Sequence, residues 1–249
     1  MAEHLPRAVL FDLDGTLVDS ERVYGVALAR ALAEGQGLAL TEEDTSFIIG
    51  RSWVAIDAHL RGRYPSLTWT RDEIIAACAA CAARLFAEQG LPVLPGVLAA
   101  VARFADRRRG LVTGSARQEA HHVLAHLGIT EHFEVRLCAE DVPRSKPAPD
   151  GYLAACAHLG VAPAETLVIE DSASGIAAAR AAGCGVIAVR AGNFSQQDQS
   201  AAHRVVDTLD DITPALAAAV MAEVAGAGDA GDRGAVAPAA APGYGGERA

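Results

Sequence analysis

Phe11-Asp12-Leu13-Asp14-Gly15-Thr16 follows the apolar residues Ala8-Val9-Leu10 and decides how the rest of the chain is read. The short apolar run, bounded by turn residues, predicts a buried strand over Ala8–Phe11. Two carboxylates two residues apart at its carboxyl end are costly, because like charges raise each other's pKa unless a cation or hydrogen bonds compensate. On an extended chain Asp12 and Asp14 project from the same side. The pair can therefore supply a nucleophile or metal ligand together with a general acid–base. Gly15 and Thr16 permit a tight turn; the plain alternative is a turn whose aspartates cap a helix.

Further apolar, β-branched runs at 110–112, 135–138, 166–169 and Gly185–Val189 are each separated by helix-length sequence. This alternation predicts an α/β fold, a parallel sheet covered by helices. Gly128, Gly160 and Gly183 close predicted helices at Arg117–Leu127, Asp150–Leu159 and 174–182, and Asp150 is the expected N-cap of the second. From 18 to 90 no strand is predicted. Helical runs fall instead at 20–34, 41–48, 54–64 and Arg71–Gln89, with capping-box spacing at Thr41/Asp44 and Thr70/Glu73. Residues 18–90 thus read as an all-helical insertion, and 1–17 with 91–221 as the core. Leu91-Pro92-Val93-Leu94-Pro95-Gly96 is the return hinge. From 225 to 246, 17 of 22 residues are Ala, Gly or Pro, so 222–249 is expected to be a disordered tail.

Three more polar landmarks stand at or near predicted strand ends. Thr113-Gly114-Ser115 offers two hydroxyls and a close-approaching backbone before a helix start, which attracts anions but is also an ordinary N-cap sequence. Lys146 lies in the stiff loop Pro143-Arg144-Ser145-Lys146-Pro147-Ala148-Pro149; a lone loop lysine is as a rule solvated. Glu170-Asp171 ends an apolar strand with adjacent hard oxygen donors, which suit Mg²⁺. Four acids at one sheet edge call for a cation, so the set argues for a metal more strongly than any member does.

The net charge of −10 disfavours nucleic acid and anionic membrane surfaces as partners. No apolar stretch approaches a membrane span. Asp12 and Asp14 interrupt what could have been a signal segment, and five scattered cysteines are not a disulfide framework, so a reduced, cytoplasmic setting is expected. Cys78 and Cys81 have zinc or redox spacing without a second ligand pair and are read as buried helix residues. His121, His122 and His126 read as a polar helix face, and Arg107-Arg108-Arg109 as a solvated loop before the second strand.

In order along the chain, DLDGTLVDS, VTGS, SKPAPDGY and IEDSASGIAAARAAG resemble the four motifs of the haloacid dehalogenase (HAD) superfamily, over roughly residues 9–192. The resemblance implies a Rossmann-like parallel core with an inserted helical C1-type cap. It implies Asp12 as the nucleophile that forms an aspartyl-phosphate, and Asp14 as the group that protonates the leaving alkoxide and then deprotonates water. Mg²⁺ would be held by Asp12, the Asp14 carbonyl and Asp171, with Glu170 direct or through water. Thr113, the Gly114 backbone and Lys146 would hold the phosphoryl oxygens.

Dehalogenases and phosphonate hydrolases of this superfamily lack the second aspartate, so Asp14 implies phosphate-ester chemistry on a small phosphorylated metabolite. The relatives so implied are sugar and polyol phosphatases, with the β-phosphoglucomutase type as the alternative. That mutase pattern carries a histidine where this chain has Tyr24. Glu21, Arg51 and Ser115 are the candidate substrate contacts, Arg51 through the bidentate geometry of its guanidinium.

Overall fold

β1 (Ala8–Phe11) is flanked on both sides by strands that arrive much later in the chain. The computed structural model describes residues 4–231 apart from 50 and 52, with the main chain alone for Glu21, Gln89 and 228–231. Leu10 pairs with Gly110 of β2 (Arg108–Val112) and with Val168 of β4 (Thr166–Glu170), both in parallel. β3 (Val135–Leu137), β5 (Gly185–Val189) and β6 (Arg204–Val206) extend the sheet to the order β3-β2-β1-β4-β5-β6, parallel throughout. Strand order reverses direction at β1, and in open parallel sheets ligands bind at the carboxyl ends beside such a switch point.

Alternation along the strands sorts their side chains onto two faces. Val9, Phe11, Leu111, Leu167, Ile169, Ile187 and Val189 meet α5 (Val97–Arg103), α6 (Arg117–Leu127) and α9 (Pro214–Gly231) on one face. Ala8, Leu10, Val112, Val168, Val186 and Ala188 meet α7 (Asp150–Leu159) and α8 (Ala173–Ala182) on the other. Each large side chain so buried contributes about 1.5–3 kcal/mol. Gly128, Gly160 and Gly183 take the left-handed conformation that ends α6, α7 and α8.

Between β1 and β2 the chain forms α1 (Ser20–Gln36), α2 (Glu42–Ile48), α3 (Trp53–Arg63) and α4 (Arg71–Gln89) before α5. Thr41 with Asp44 and Thr70 with Glu73 form complete capping boxes at the starts of α2 and α4. Cys78 and Cys81 are buried on α4. Asp44, wholly buried, accepts from Thr41 N (2.9 Å) and Oγ1 (2.7 Å), His59 Nε2 (2.8 Å), Arg63 Nε (2.9 Å) and the Tyr64 hydroxyl. The two threads that join this segment to the sheet are bonded to each other, Asp19 N to Pro92 O (2.8 Å) and Leu94 N to Leu17 O (3.0 Å).

Several expectations are corrected. Arg108 and Arg109 belong to β2, because the ladder to Ala8 and Val9 extends the strand by two residues. Their long side chains leave the sheet to Glu134 (2.8 Å) and the Val101 carbonyl (3.0 Å). Asp150 is the first residue of α7 with Pro149 at the cap, and Arg144 holds its carboxylate bidentately at 2.7 and 2.8 Å. Residues 222–231, assigned to a disordered tail, continue α9, since alanine is the best helix former and isolated glycines cost only about 1 kcal/mol each. Residues 232–249 lie outside the described residues.

Candidate active site

Asp12 leaves β1 at its carboxyl end, its N–H bonded to Ile169 O at 3.0 Å, and is 6% exposed. Lys146 Nζ donates to Asp12 Oδ1, to Val112 O at 3.0 Å and to Glu170 Oε1 at 2.7 Å. One lysine thus joins the ends of β1, β2 and β4. Its side chain is 15% exposed, so the loop lysine is not solvated.

Glu170 is fully buried and saturated with donors. Its Oε1 takes Lys146 and the Tyr152 hydroxyl (3.2 Å), and its Oε2 takes Asp171 N (2.8 Å), Ser172 N (2.7 Å) and Ser172 Oγ (3.0 Å). The Tyr152 ring also lies 5.2 Å from the ammonium. Gly175 leaves the room this needs: a side-chain carbon there would come within 1.5 Å of Glu170 Oε1.

Asp14 faces the other way. Its Oδ1 accepts from Ser20 Oγ, the first residue of α1, and its Oδ2 accepts from Ser115 Oγ and, at 3.4 Å, from Thr113 Oγ1. Thr113 Oγ1 in turn accepts from Ser115 N at 3.0 Å. A side-chain carbon on Gly114 would meet nothing within 4 Å, so open space lies before its backbone. Gly15, at φ +83°, lets the chain turn close beside Asp171, whose Oδ1 accepts from Thr16 Oγ1 at 3.0 Å.

Burial pushes the Asp12 carboxyl up to about 8; Lys146 pulls it back, and the charges of Glu170 and Asp14 add to the rise. Burial also works against the Lys146 charge, but Asp12 and Glu170 outweigh it and hold the ammonium well above the ordinary lysine range. For Glu170, burial is outweighed by Lys146 and Ser172, which leave it below the usual carboxylate range.

Asp12, Glu170 and Asp171 each present an oxygen within 4.8 Å of the others, and all three residues are buried. These hard oxygen donors, with a single lysine against them, fit a divalent cation such as Mg²⁺. The Asp14 side chain is not among them.

Of the residues singled out in the sequence, Asp12, Lys146, Glu170 and Asp171 form one hydrogen-bonded group and Asp14, Thr113 and Ser115 a second, with Gly114 between the two members of the latter that share its loop. Arg51 is joined to neither: it is exposed, its guanidinium 5.1 Å from the Phe47 ring, which stacks on His59 at 4.0 Å. The Glu21 side chain, and residues 50 and 52, lie outside the described residues. Three contributors were missed. Ser20 and Tyr152 stand inside the quoted motifs but looked like a helix start and an apolar helix residue. Gln199, whose Nε2 donates to Asp171 O (2.7 Å) and Val189 O (2.8 Å), comes from a loop without any motif.

No helix of the described residues is long and apolar enough to cross a membrane. The chain is 36% identical over 193 residues to hexitol phosphatase A of Escherichia coli, covering 74% of this chain and 83% of that protein. It is 33% identical over 210 residues to the N-acetylmuramic acid 6-phosphate phosphatase of Pseudomonas aeruginosa, covering 82% and 90%. A solved HAD family hydrolase from Deinococcus radiodurans, with bound phosphate and sodium, superposes with a TM-score of 0.71 at 29% identity, covering 88% of this chain and 98% of that one. A family model for haloacid dehalogenase-like hydrolases matches residues 6–183, a span that begins just before β1, includes every residue of the lysine-bridged carboxylate cluster and ends at the close of α8. The chain therefore belongs to the haloacid dehalogenase-like hydrolase family.

Proposed function

We propose that this protein hydrolyses a small phosphate monoester, a sugar or polyol phosphate, with Asp12 as nucleophile. The observation that carries the proposal is the meeting of Lys146 with Asp12 while Asp14 stands apart on its own hydroxyl donors. One carboxylate is thereby set beside a cation that can hold a phosphoryl group, and the other beside groups that can orient a proton.

Asp12 attacks phosphorus in line as the ester oxygen departs, and Asp14 gives that oxygen its proton. Asp14 then takes a proton from water, which attacks the aspartyl-phosphate at phosphorus, releasing inorganic phosphate and restoring Asp12. Lys146, the Thr113 hydroxyl and the Gly114 backbone hold the phosphoryl oxygens. Asp12, Asp171, Glu170 and the Asp14 main-chain carbonyl would hold Mg²⁺, which when bound offsets the clustered carboxylates and the phosphoryl charge.

Residues 18–90 are proposed as a cap over this site, bearing Glu21 and Arg51 as substrate contacts. The named relatives, both phosphatases of small phosphorylated compounds, support the substrate class. Five free, buried cysteines support a reduced, cytoplasmic setting. Tyr24, at the position where the mutase type has histidine, packs edge-on against Phe86 at 6.3 Å, which favours hydrolysis over isomerisation.

The test is phosphate release across a panel of phosphorylated metabolites, with and without Mg²⁺. Asp12→Asn should abolish release while keeping the far-ultraviolet circular dichroism of the wild type. Undiminished release by that variant, or isomer formation without release, would overturn the proposal.

A further inference from the structure

β4 and β5 pair in parallel up to Glu170 and Ala188, the last partners in their register. Asp171 and Val189 come next on the two chains, and here one side chain takes over from the ladder. The carbonyls of both accept from Gln199 Nε2, at 2.7 and 2.8 Å, so the two hydrogens of that amide are both committed. Gln199 is 7% exposed and reaches this place from the loop between β5 and β6.

Asp171 begins the turn that carries the chain from β4 into α8, and side chains hold the polar groups of that turn. The N–H groups of Asp171 and Ser172 go to Glu170 Oε2 at 2.8 and 2.7 Å, and that of Ala173 goes to Gln197 Oε1 at 3.0 Å. The Asp171 carbonyl goes to Gln199. Two glutamines of one loop therefore grip the turn, and Asn193 braces that loop by donating to Gln197 O and accepting from Gln197 N, both at 2.8 Å.

An aspartate has a single methylene between main chain and carboxylate, so its oxygens go where its main chain puts them. In Asp171 that places an oxygen within 4.8 Å of those of Asp12 and Glu170. The Gln199 amide is neutral, and it fixes this residue without adding a charge that would compete with a cation for the three acids.

We propose that Gln199 is a positioning residue for the divalent cation: by holding the Asp171 main chain at the end of the sheet it sets the direction of the Asp171 carboxylate, and affinity for Mg²⁺ depends on it. This rests on the function proposed above, in which Asp171 would hold Mg²⁺. Removing a partner that orients a metal ligand weakens metal affinity by about 10–100-fold.

The test is calorimetric titration of Mg²⁺ alone into the full chain, below the melting transition of each protein, for the wild type, Gln199→Met, Gln199→Asn and Arg103→Met. The last is a control for lost stability, since Arg103 Nη1 likewise donates to two carbonyls, of Leu209 and Ile212, at 3.0 and 2.8 Å. Gln199→Met should weaken Mg²⁺ binding about tenfold. Gln199→Asn, which keeps the amide but not its reach, should weaken it severalfold, while KM for the ester at saturating Mg²⁺ stays within twofold of the wild type in both. Arg103→Met should melt lower and bind Mg²⁺ within twofold of the wild type. Wild-type affinity in every Gln199 variant that folds, or a loss in Arg103→Met as large as in those variants, overturns the positioning role alone. A wild type that neither binds Mg²⁺ nor gains Tm from it overturns the Mg²⁺ reading above and this proposal with it.

Discussion

Lys146 Nζ lies 2.7 Å from Glu170 Oε1, and the same ammonium reaches Asp12, so one cation holds two buried carboxylates that the sequence places 158 residues apart. Removing one partner of such a cluster leaves charge buried without compensation, at a cost of about 3–5 kcal/mol.

Lys146→Met should therefore lower both activity and stability. Urea unfolding at pH 7 should show a loss of several kcal/mol, and phosphate release should fall by two or more orders of magnitude. Because a divalent cation restores part of the missing positive charge, the rise in Tm on adding Mg²⁺ should be larger in the variant than in the wild type. Equal unfolding midpoints for the two proteins would show that Lys146 does not compensate these acids.

Glycine-to-alanine changes at two helical positions should have opposite signs. At Gly62 in α3 an added carbon meets nothing within 4 Å, so Gly62→Ala should stabilise by about 0.4–1 kcal/mol. At Gly175 in α8 the same carbon falls 1.5 Å from Glu170 Oε1, and overpacking of about 1–3 kcal/mol exceeds the helical gain. Gly175→Ala should melt lower than the wild type and lose phosphate release as Glu170 is displaced from Lys146; a variant as stable and active as the wild type refutes the contact.

Asp44 should contribute a measurable share of acid sensitivity. Burial raises its carboxyl, but hydrogen bonds from Tyr64, Thr41 and His59 outweigh burial and hold it well below the usual carboxylate range. A depressed folded-state pKa means stability that is complete above the unfolded value, near pH 4, and lost as pH falls through the folded one. Asp44→Asn should be less stable by about 2–4 kcal/mol at pH 7. The gap between the two proteins, followed by thermal unfolding, should narrow steadily below pH 4; a constant gap would exclude this role.

Legibility followed how local each determinant is. β1 and β4 are short apolar runs that stop at acids, and the capping boxes at Thr41 and Thr70 span three residues each, so all are visible in a single window. β6 is three half-buried residues at the sheet edge beginning with arginine, and α5 is seven residues between a proline-rich crossing and the arginine run; neither is long enough to display a period. Three of the four polar landmarks were legible because each stands at or beside a strand end; Lys146, nine residues past β3, was legible only through the motif that contains it. Gln199 was not, because what it does depends on a fold that brings a distant loop under Asp171.

The loop after β5 also sets how much of the chain the first motif needs. A side-chain carbon on Gly192 would lie 1.9 Å from the Gly15 carbonyl, so this loop is seated directly on the turn that follows Asp14, while Gln199 clasps Asp171 from below. The turn after Asp14 thus acquires its surroundings from a segment nearly 180 residues further along the chain. A chain cut before residue 192 would carry Asp12 and Asp14 with the seat of their turn unmade, and one cut before residue 199 would leave the Asp171 and Val189 carbonyls without the Gln199 amide.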